Sequence, residues 1–246
     1  QACGDVGPGR MIEPQEIADR CARMFETTRL TGTKVLITGG PTREAKDPVR
    51  FISNHSSGKM AFALAAEAAA AGAQVSLVSG PVHLPTPDRV GRTDVESAEQ
   101  MLDAVMERVA DTDIFIGVAA VADYRPATIE EQKIKKNADS MTLALVKNPD
   151  IISRVAALSD GPMVVGFAAE TEQLKANGTE KLKRKGLDLL FANKAIETFN
   201  SDEVTVTALS GHSQQTLGPG TKLNIARLML DLITEHFEQK TMPSDS

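Results

Sequence analysis

Between Asp47 and Met60 the chain concentrates Arg50, Asn54, Ser56, Ser57, Gly58 and Lys59, shortly after a Gly39-Gly40-Pro41 break. Two hydroxyls, a glycine and a lysine ahead of an alanine-rich helical stretch suit an anion. The N–H groups of a first helical turn have no helical partner, and the helix dipole favours phosphate or carboxylate there. An ordinary serine cap on a long loop is the competing reading, but a loop this long between strand and helix is uncommon without a function. Lys133, Lys135 and Lys136 crowd a second segment, and Lys181, Lys183, Arg184 and Lys185 a third. Lys181 and Lys185 are four apart and share one helix face. Such runs are either solvated surface or a clamp on a triphosphate, for which ammonium point charges are suited. Asp123, at a strand end, suits a ribose hydroxyl, a base amine or a turn cap. Asn148-Pro149-Asp150-Ile151 reads as a helix start with Pro149 at its first position.

Familiar fingerprints fail. A Walker loop requires glycine at position 53 and Ser or Thr at 60, where Ser53 and Met60 stand. Gly39-Gly40-Pro41 is no G-x-G-x-x-G, and Ser79-Gly80 supplies no acid for a ribose, which argues against an NAD(P)-dependent Rossmann oxidoreductase. No H-E-x-x-H, Cys/His cluster or G-x-S-x-G occurs, so zinc and serine-nucleophile chemistry are disfavoured.

The elements that position these residues alternate. Lys34 to Thr38, Gln74 to Ser79, Ile114 to Val118, Met163 to Ala168 and Leu187 to Ala192 read as buried strands. Met60 to Ala71 reads as a helix with Gly72 as its cap, and Ser97 to Val109 as a helix opened by a Ser97/Gln100 capping box. A Lys-rich helix separates the last two strands. This order predicts an α/β, Rossmann-like, mostly parallel sheet with helices on both faces. Ligands in such sheets gather at the carboxyl ends of the strands, here after Thr38, Ser79, Val118 and Ala168. Met141 to Val146 and Val204 to Leu209 alternate polar and apolar residues, which predicts exposed or edge strands outside the main sheet. A polar turn, Ser210 to Thr216, and a last helix, Lys222 to Phe237, follow. Gln1 to Met11 is a Gly/Pro-rich loop, and Pro14 to Leu30 reads as a linker helix.

The 246 residues carry 27 Lys+Arg against 33 Asp+Glu, a formal charge of −6, with 41% hydrophobic and 24% charged residues. These are globular values, with ample material for a core. An acidic chain of this kind is a poor general nucleic-acid binder. No apolar run reaches the ~18 residues of a membrane span; the best candidate, Ala61 to Ala73, is an alanine-rich helix broken by Glu67. Cys3 and Cys21 have no partners at metal-ligand spacing, so a cytoplasmic location is expected.

Taken together, these stretches resemble the phosphopantothenate–cysteine ligase family. The carrying residues are Thr38 to Thr42, Asp47 to Met60 (D-P-V-R-F-I-S-N-H-S-S-G-K-M), Ala119 to Tyr124, Lys133 to Lys136, Asn148 to Ile151, Gly166 to Thr171 and Lys181 to Asp188. The likeness runs in order from Lys34 to Phe237. Ala2-Cys3-Gly4 through Met11 resembles a different module, the end of a phosphopantothenoylcysteine decarboxylase domain, commonly fused ahead of the ligase in bacteria. The implied organisation is 1–13 as a remnant of that flavin domain, 14–33 as linker, 34–240 as ligase and 241–246 as a disordered tail. Cys3, a catalytic proton donor in the decarboxylase family, is then a relic, and FMN belongs only to the missing domain. Ala61 stands where relatives often carry glycine.

The resemblance implies a two-step reaction in coenzyme A biosynthesis. The carboxylate of 4′-phosphopantothenate attacks the α-phosphorus of CTP, with magnesium, giving an acyl-cytidylate and pyrophosphate. The amine of cysteine then displaces CMP. Gly117, Val118, Ala119, Asp123, Asn148, Pro149, Asp150, Ile151 and Phe167 would form the cytidine pocket, and Lys133, Lys181 and Lys185 would hold the triphosphate, with Lys133 steadying charge during transfer. Asn54 would polarise the acyl carbonyl. Arg50 would serve the second step or the pantothenate end, and Ala120 would let its backbone approach the acyl group. Metal ligands are unassigned. The family acts as a homodimer, for which the Met141 to Val146 strand is a candidate crossing element, and a larger oligomer is expected of the full-length fusion. CTP binding without turnover would instead mark a non-catalytic nucleotide-binding module.

Overall fold

The computed structural model describes residues 28–135, 139–170, 174–194, 203–211 and 213–242. Its centre is β1 (Lys34–Gly39), whose apolar run is buried on both faces. Val35 and Ile37 point to one side of the sheet and Leu36 to the other, as the period of two requires. β4 (Gln74–Ser79) and β6 (Ile114–Gly117) pair with β1 in parallel on either side. β5 (Val90–Asp94) extends the sheet beyond β4, and β9 (Met163–Glu170) followed by β10 (Leu189–Lys194) extends it beyond β6, all in parallel. The far edge is antiparallel, formed by β11 (Glu203–Ser210) and β12 (Gln214–Thr221), so the eight-stranded order is β12-β11-β10-β9-β6-β1-β4-β5.

Helices α1 (Lys59–Ala70) and α5 (Lys222–Thr241) cover one face over Val35, Ile37, Leu77 and Ile116. Helices α2 (Ala98–Met106), α3 (Ile151–Ala156) and α4 (Leu174–Lys185) cover the other over Leu36, Val78, Phe115 and Leu190. The mostly parallel, Rossmann-like arrangement with helices on both faces is therefore present. Two small antiparallel ribbons sit apart from the main sheet. They are β2 (Arg43–Ala45) with β3 (Phe51–Ser53), and β7 (Tyr124–Pro126) with β8 (Leu145–Lys147), and β2 lies against β7.

Several local expectations hold. Ser97 accepts from the Gln100 amide while Gln100 reaches back to the Ser97 N–H, completing the capping box. Gly72, at φ 93°, lies one residue beyond the Ala71 cap. The Ala73 N–H bonds the Ala68 carbonyl and the Gly72 N–H bonds that of Ala69, the Schellman pattern that glycine permits. Ala61 fits against the sheet because residue 39 is glycine. A Cβ added there would stand 2.5 Å from the Ala61 Cβ.

Others are corrected. Val204 to Leu209 does not lie outside the main sheet. It alternates because Val204, Val206 and Ala208 pack under α5, while on the other side Glu203 and Thr205 meet solvent and only Leu209 is buried, in the core of the opposite face. The turn after it is shorter than Ser210 to Thr216, because Gln214–Thr221 pairs with β11. Its polar QQTLGPGT sequence carries no apolar period, and an edge strand needs only backbone partners. Of Met141 to Val146 only Leu145 and Val146 enter a strand, β8, which ends at Lys147. Pro149 precedes α3 rather than entering it. The Asp150 carboxylate accepts from the Ser153 N–H at 3.3 Å and takes the cap position. The strand after α4 begins at Leu189 rather than Leu187. The loop from Pro41 to Lys59 contains the β2–β3 ribbon, and β5 was not foreseen. Leu30, expected to end a linker helix, sits in a turn, fully buried, with its N–H on the Ala71 carbonyl at 3.1 Å.

Candidate active site

The carboxyl ends of β1 and β4 approach so closely that only glycine fits. A Cβ on Gly80 would stand 1.8 Å from the Pro41 carbonyl oxygen, and one on Gly40 (φ 72°) would stand 2.9 Å from the Gly80 carbonyl oxygen. Beside this junction α1 opens at Gly58, whose φ of 72° makes a left-handed cap without a side-chain acceptor. The Ser56 hydroxyl accepts from the Gly58 N–H at 3.3 Å. Neither serine caps the helix, contrary to the plain-cap reading. The first turn keeps its N–H groups and the positive end of its dipole for a ligand.

Beyond the end of β6 the chain continues alongside the Gly40–Thr42 segment. The Ala120 N–H donates to Gly40, and the Ala120 carbonyl accepts from the Thr42 N–H. The Thr42 hydroxyl accepts from the Ala122 N–H at 3.0 Å. The Asn54 amide nitrogen then donates to the carbonyls of Ala120 and Val121, each at 3.2 Å. Asn54 and Ala120, singled out from distant motifs, are thus in direct contact. The Asn54 donor assigned in the sequence to an acyl oxygen is engaged by the backbone, while Oδ1 has no partner among the described residues.

A second group of expected residues meets on the neighbouring strands. Gly117 and Gly166 are register partners on β6 and β9, and Phe167, half-buried, packs its ring 5.9 Å from that of Phe191. Asn148 is locked to the segment after β6. Its backbone N–H donates to the Asp123 carbonyl at 2.8 Å and its side chain to the Ala122 carbonyl at 2.8 Å. Asp123 itself is exposed. Lys185 closes the group, its ammonium 2.8 Å from an Asp150 carboxylate oxygen. Burial works against ionisation of Asp150, but hydrogen bonds from Lys185 and Ser153 outweigh it and hold the carboxyl below its ordinary value. Lys181 lies one turn earlier on α4. A groove of about 530 Å³ borders Asn148 and Pro149, lined also by Glu99, Arg125 and Arg154. A slightly larger one, about 600 Å³, lies away from this group over the ends of β4 and β5, between Arg43, His83, Arg92 and Glu96.

The third group was only partly legible. Arg50 and Lys133 belong to separate motifs, and Asp47 joins their segments. Its carboxylate is fully buried. It accepts from the Val49 and Arg50 N–H groups, from the Arg50 guanidinium at 3.0 and 2.5 Å, and from the Ile134 N–H at 3.2 Å. The guanidinium hydrogen bond, backed by the three amides and opposed by burial, holds Asp47 far below the usual carboxylate range. An aspartate just before proline is a turn signal that could have marked it. Thr42 carried no comparable signal. Cys3 and Lys136 lie outside the described residues.

A model of the DNA/pantothenate metabolism flavoprotein C-terminal domain matches residues 30–237. The chain belongs to this family. The coenzyme A biosynthesis bifunctional protein CoaBC of Vibrio cholerae is 53% identical over 241 residues, covering 96% of this chain and 60% of that protein. CoaBC of Escherichia coli K12 is 49% identical over 248 residues, covering 98% and 61%. The chain therefore spans about 60% of the length of these curated relatives. The crystal structure of the C-terminal domain of a CoaBC superposes with a TM-score of 0.76 at 37% identity, over 87% of this chain and 100% of that one. Among the described residues, no helix is long and apolar enough to cross a membrane.

Proposed function

We propose that this family member ligates cysteine to 4′-phosphopantothenate, using CTP, through an acyl-cytidylate. The observation that carries this reading is the meeting of Asn54 with Ala120 beside an uncapped helix start, next to the Asn148–Asp150–Lys185 group. High identity to CoaBC proteins along almost the whole chain supports it. The chemistry requires no covalent nucleophile. A carboxylate oxygen attacks the α-phosphorus and pyrophosphate leaves. The cysteine nitrogen then attacks the acyl carbon, the bond to CMP breaks, and the amine loses a proton. Positioning and charge neutralisation suffice.

In this reading Gly117 to Ala119, Asp123, Asn148 to Ile151 and Phe167 receive the cytidine, and Lys133, Lys181 and Lys185 receive the phosphates. Asp150 sets the direction of Lys185. Magnesium, with no protein ligands assigned, would neutralise charge on the nucleotide phosphates. Among the described residues no group of three or more His, Cys, Asp or Glu side chains is placed to form a protein cage. FMN and decarboxylation are assigned to the part of the relatives that this chain does not span. The chain acts as a homodimer, supported by exposed Val49, Phe51, Tyr124, Ile129, Leu145 and Val146 on the two small ribbons and the loop between them. Exposed large apolar side chains on neighbouring segments are the material of an association site.

The test is incubation with magnesium, CTP and 4′-phosphopantothenate without cysteine, followed by mass spectrometry. Acyl-cytidylate and pyrophosphate are expected, with amide and CMP appearing once cysteine is added. Absence of both with CTP and with ATP would overturn the ligase reading.

A further inference from the structure

We propose that Asp47 is the positioning residue of the Lys133 segment and acts on nucleotidyl transfer through Lys133; this rests on the ligase reading above. Lys133 is exposed and belongs to an irregular stretch that starts where β7 ends. After the Ala127 N–H, which donates to Ala144, that stretch through Lys135 is tied to the rest of the described residues by three hydrogen bonds. The Glu130 N–H donates to the Lys46 carbonyl at 3.1 Å. The Ile134 N–H donates to the Asp47 carboxylate at 3.2 Å, and the Ile134 carbonyl accepts from the Arg50 guanidinium at 3.0 Å. All three partners lie in the five-residue turn between β2 and β3.

Ile134 is therefore held by both of its backbone groups, one residue from Lys133, and Asp47 organises both contacts. It takes the N–H directly, and it aims the guanidinium that takes the carbonyl. A lysine has four rotatable side-chain bonds, so only a fixed backbone root confines its ammonium to a useful volume. The carboxylate is suited to this because it is fully buried and accepts five donors. An amide at the same place presents one acceptor oxygen, and its NH₂ faces either the two donors on Oδ1 or the three on Oδ2. Asp47 also links the turn that bears Arg50 to the segment that bears Lys133, so the two residues share one anchor.

The test is a double-mutant cycle on the full chain with Asp47→Asn, Lys133→Gln and the pair. Pyrophosphate release is read at saturating CTP and 4′-phosphopantothenate without cysteine, alongside melting temperature. Groups that work as a unit are non-additive. Asp47→Asn is expected to slow release by about 10²-fold, as loss of one preorganised electrostatic contact does. The double variant should be no slower than Lys133→Gln alone. Asp47→Glu, which keeps the charge, should recover part of the rate. Losses that multiply in the double variant, or an Asp47→Asn rate within about threefold of wild type, would overturn the proposal while leaving the ligase reading intact. A wild-type chain that forms no acyl-nucleotide overturns both. Should Asp47→Asn fail to fold, Ile134→Pro removes the single bond from the carboxylate to the Lys133 segment and is read in the same cycle.

Discussion

Asn54 and Ala120 lie 66 residues apart, yet the Asn54 amide nitrogen donates to the Ala120 carbonyl at 3.2 Å and to the adjoining Val121 carbonyl at the same distance. Backbone carbonyls only accept, so this pair sets which end of the amide faces the β6 extension. Asn54→Asp would place a carboxylate oxygen against two carbonyls and lose both bonds. With the Ala120–Val121 backbone no longer held, we expect acyl-cytidylate still to form while amide formation slows by about 10²-fold through misplacement, so that mass spectrometry finds the intermediate accumulating. Full turnover in this variant would remove Asn54 from the second step.

Acid should loosen the site in a defined direction. Asp47 and Asp150 both titrate below their ordinary value when folded. A carboxyl depressed in the folded state adds stability that is fully present above the unfolded value of ~4 and is lost as pH falls through the folded value. The melting temperature should be level from about pH 7 to 5 and drop below about pH 4. Asp47→Asn should start lower at pH 7 and lose less on acidification. A variant whose acid limb parallels that of wild type would argue against Asp47 as a contributor.

The glycine junction makes a sharp stability prediction. In Gly80→Ala the new Cβ meets the Pro41 carbonyl oxygen at 1.8 Å, so backbone rather than a flexible side chain must move. A loss of about 2 kcal/mol or more is expected, lowering the melting temperature by roughly 4–8 °C. Gly211→Ala, with nothing within 4 Å of the added atom, is the control and should be near neutral. Calorimetry on the two variants decides the point.

The small ribbons carry the assembly prediction. Leu145 and Val146 on β8 are 46% and 41% exposed, which is unusual for large apolar side chains on one short strand. Light scattering should find the wild-type chain dimeric and Val146→Asp largely monomeric at micromolar concentration, with an unchanged circular dichroism spectrum. A monomeric wild type would refute the dimer.

Much of the scaffold was legible because it depends on short-range physics. The KVLIT and QVSLVS runs are strands in any packing that buries them. Gly72 ends α1 because an αL residue is needed there, and the Ser97/Gln100 box closes on itself. The errors fall where that physics is silent. β12 owes its existence to the free edge of β11, not to its own side chains. Pro149 has the φ that suits a first helical position, but Asp150 supplies the acceptor for the orphan N–H of Ser153 and so takes the cap, leaving Pro149 outside α3. The β11 alternation correctly showed one covered face but could not say which sheet it joined, since any neighbour on one side produces the same pattern.

The same division holds for the site. The sequence alone determined the family likeness, the alternating fold class and most residues of the candidate site, because residue type and order carry that information. Only the tertiary structure decided that Asn54 spends its amide hydrogens on Ala120 and Val121, that Lys185 answers to Asp150, and that Asp47 fastens the Lys133 segment through Ile134. These contacts join residues from 35 to 87 positions apart. A hydrogen bond acts over about 3 Å of space, whatever the distance along the chain. Which donor meets which acceptor is therefore settled only when the sheet brings the ends of β1, β6 and β9 side by side.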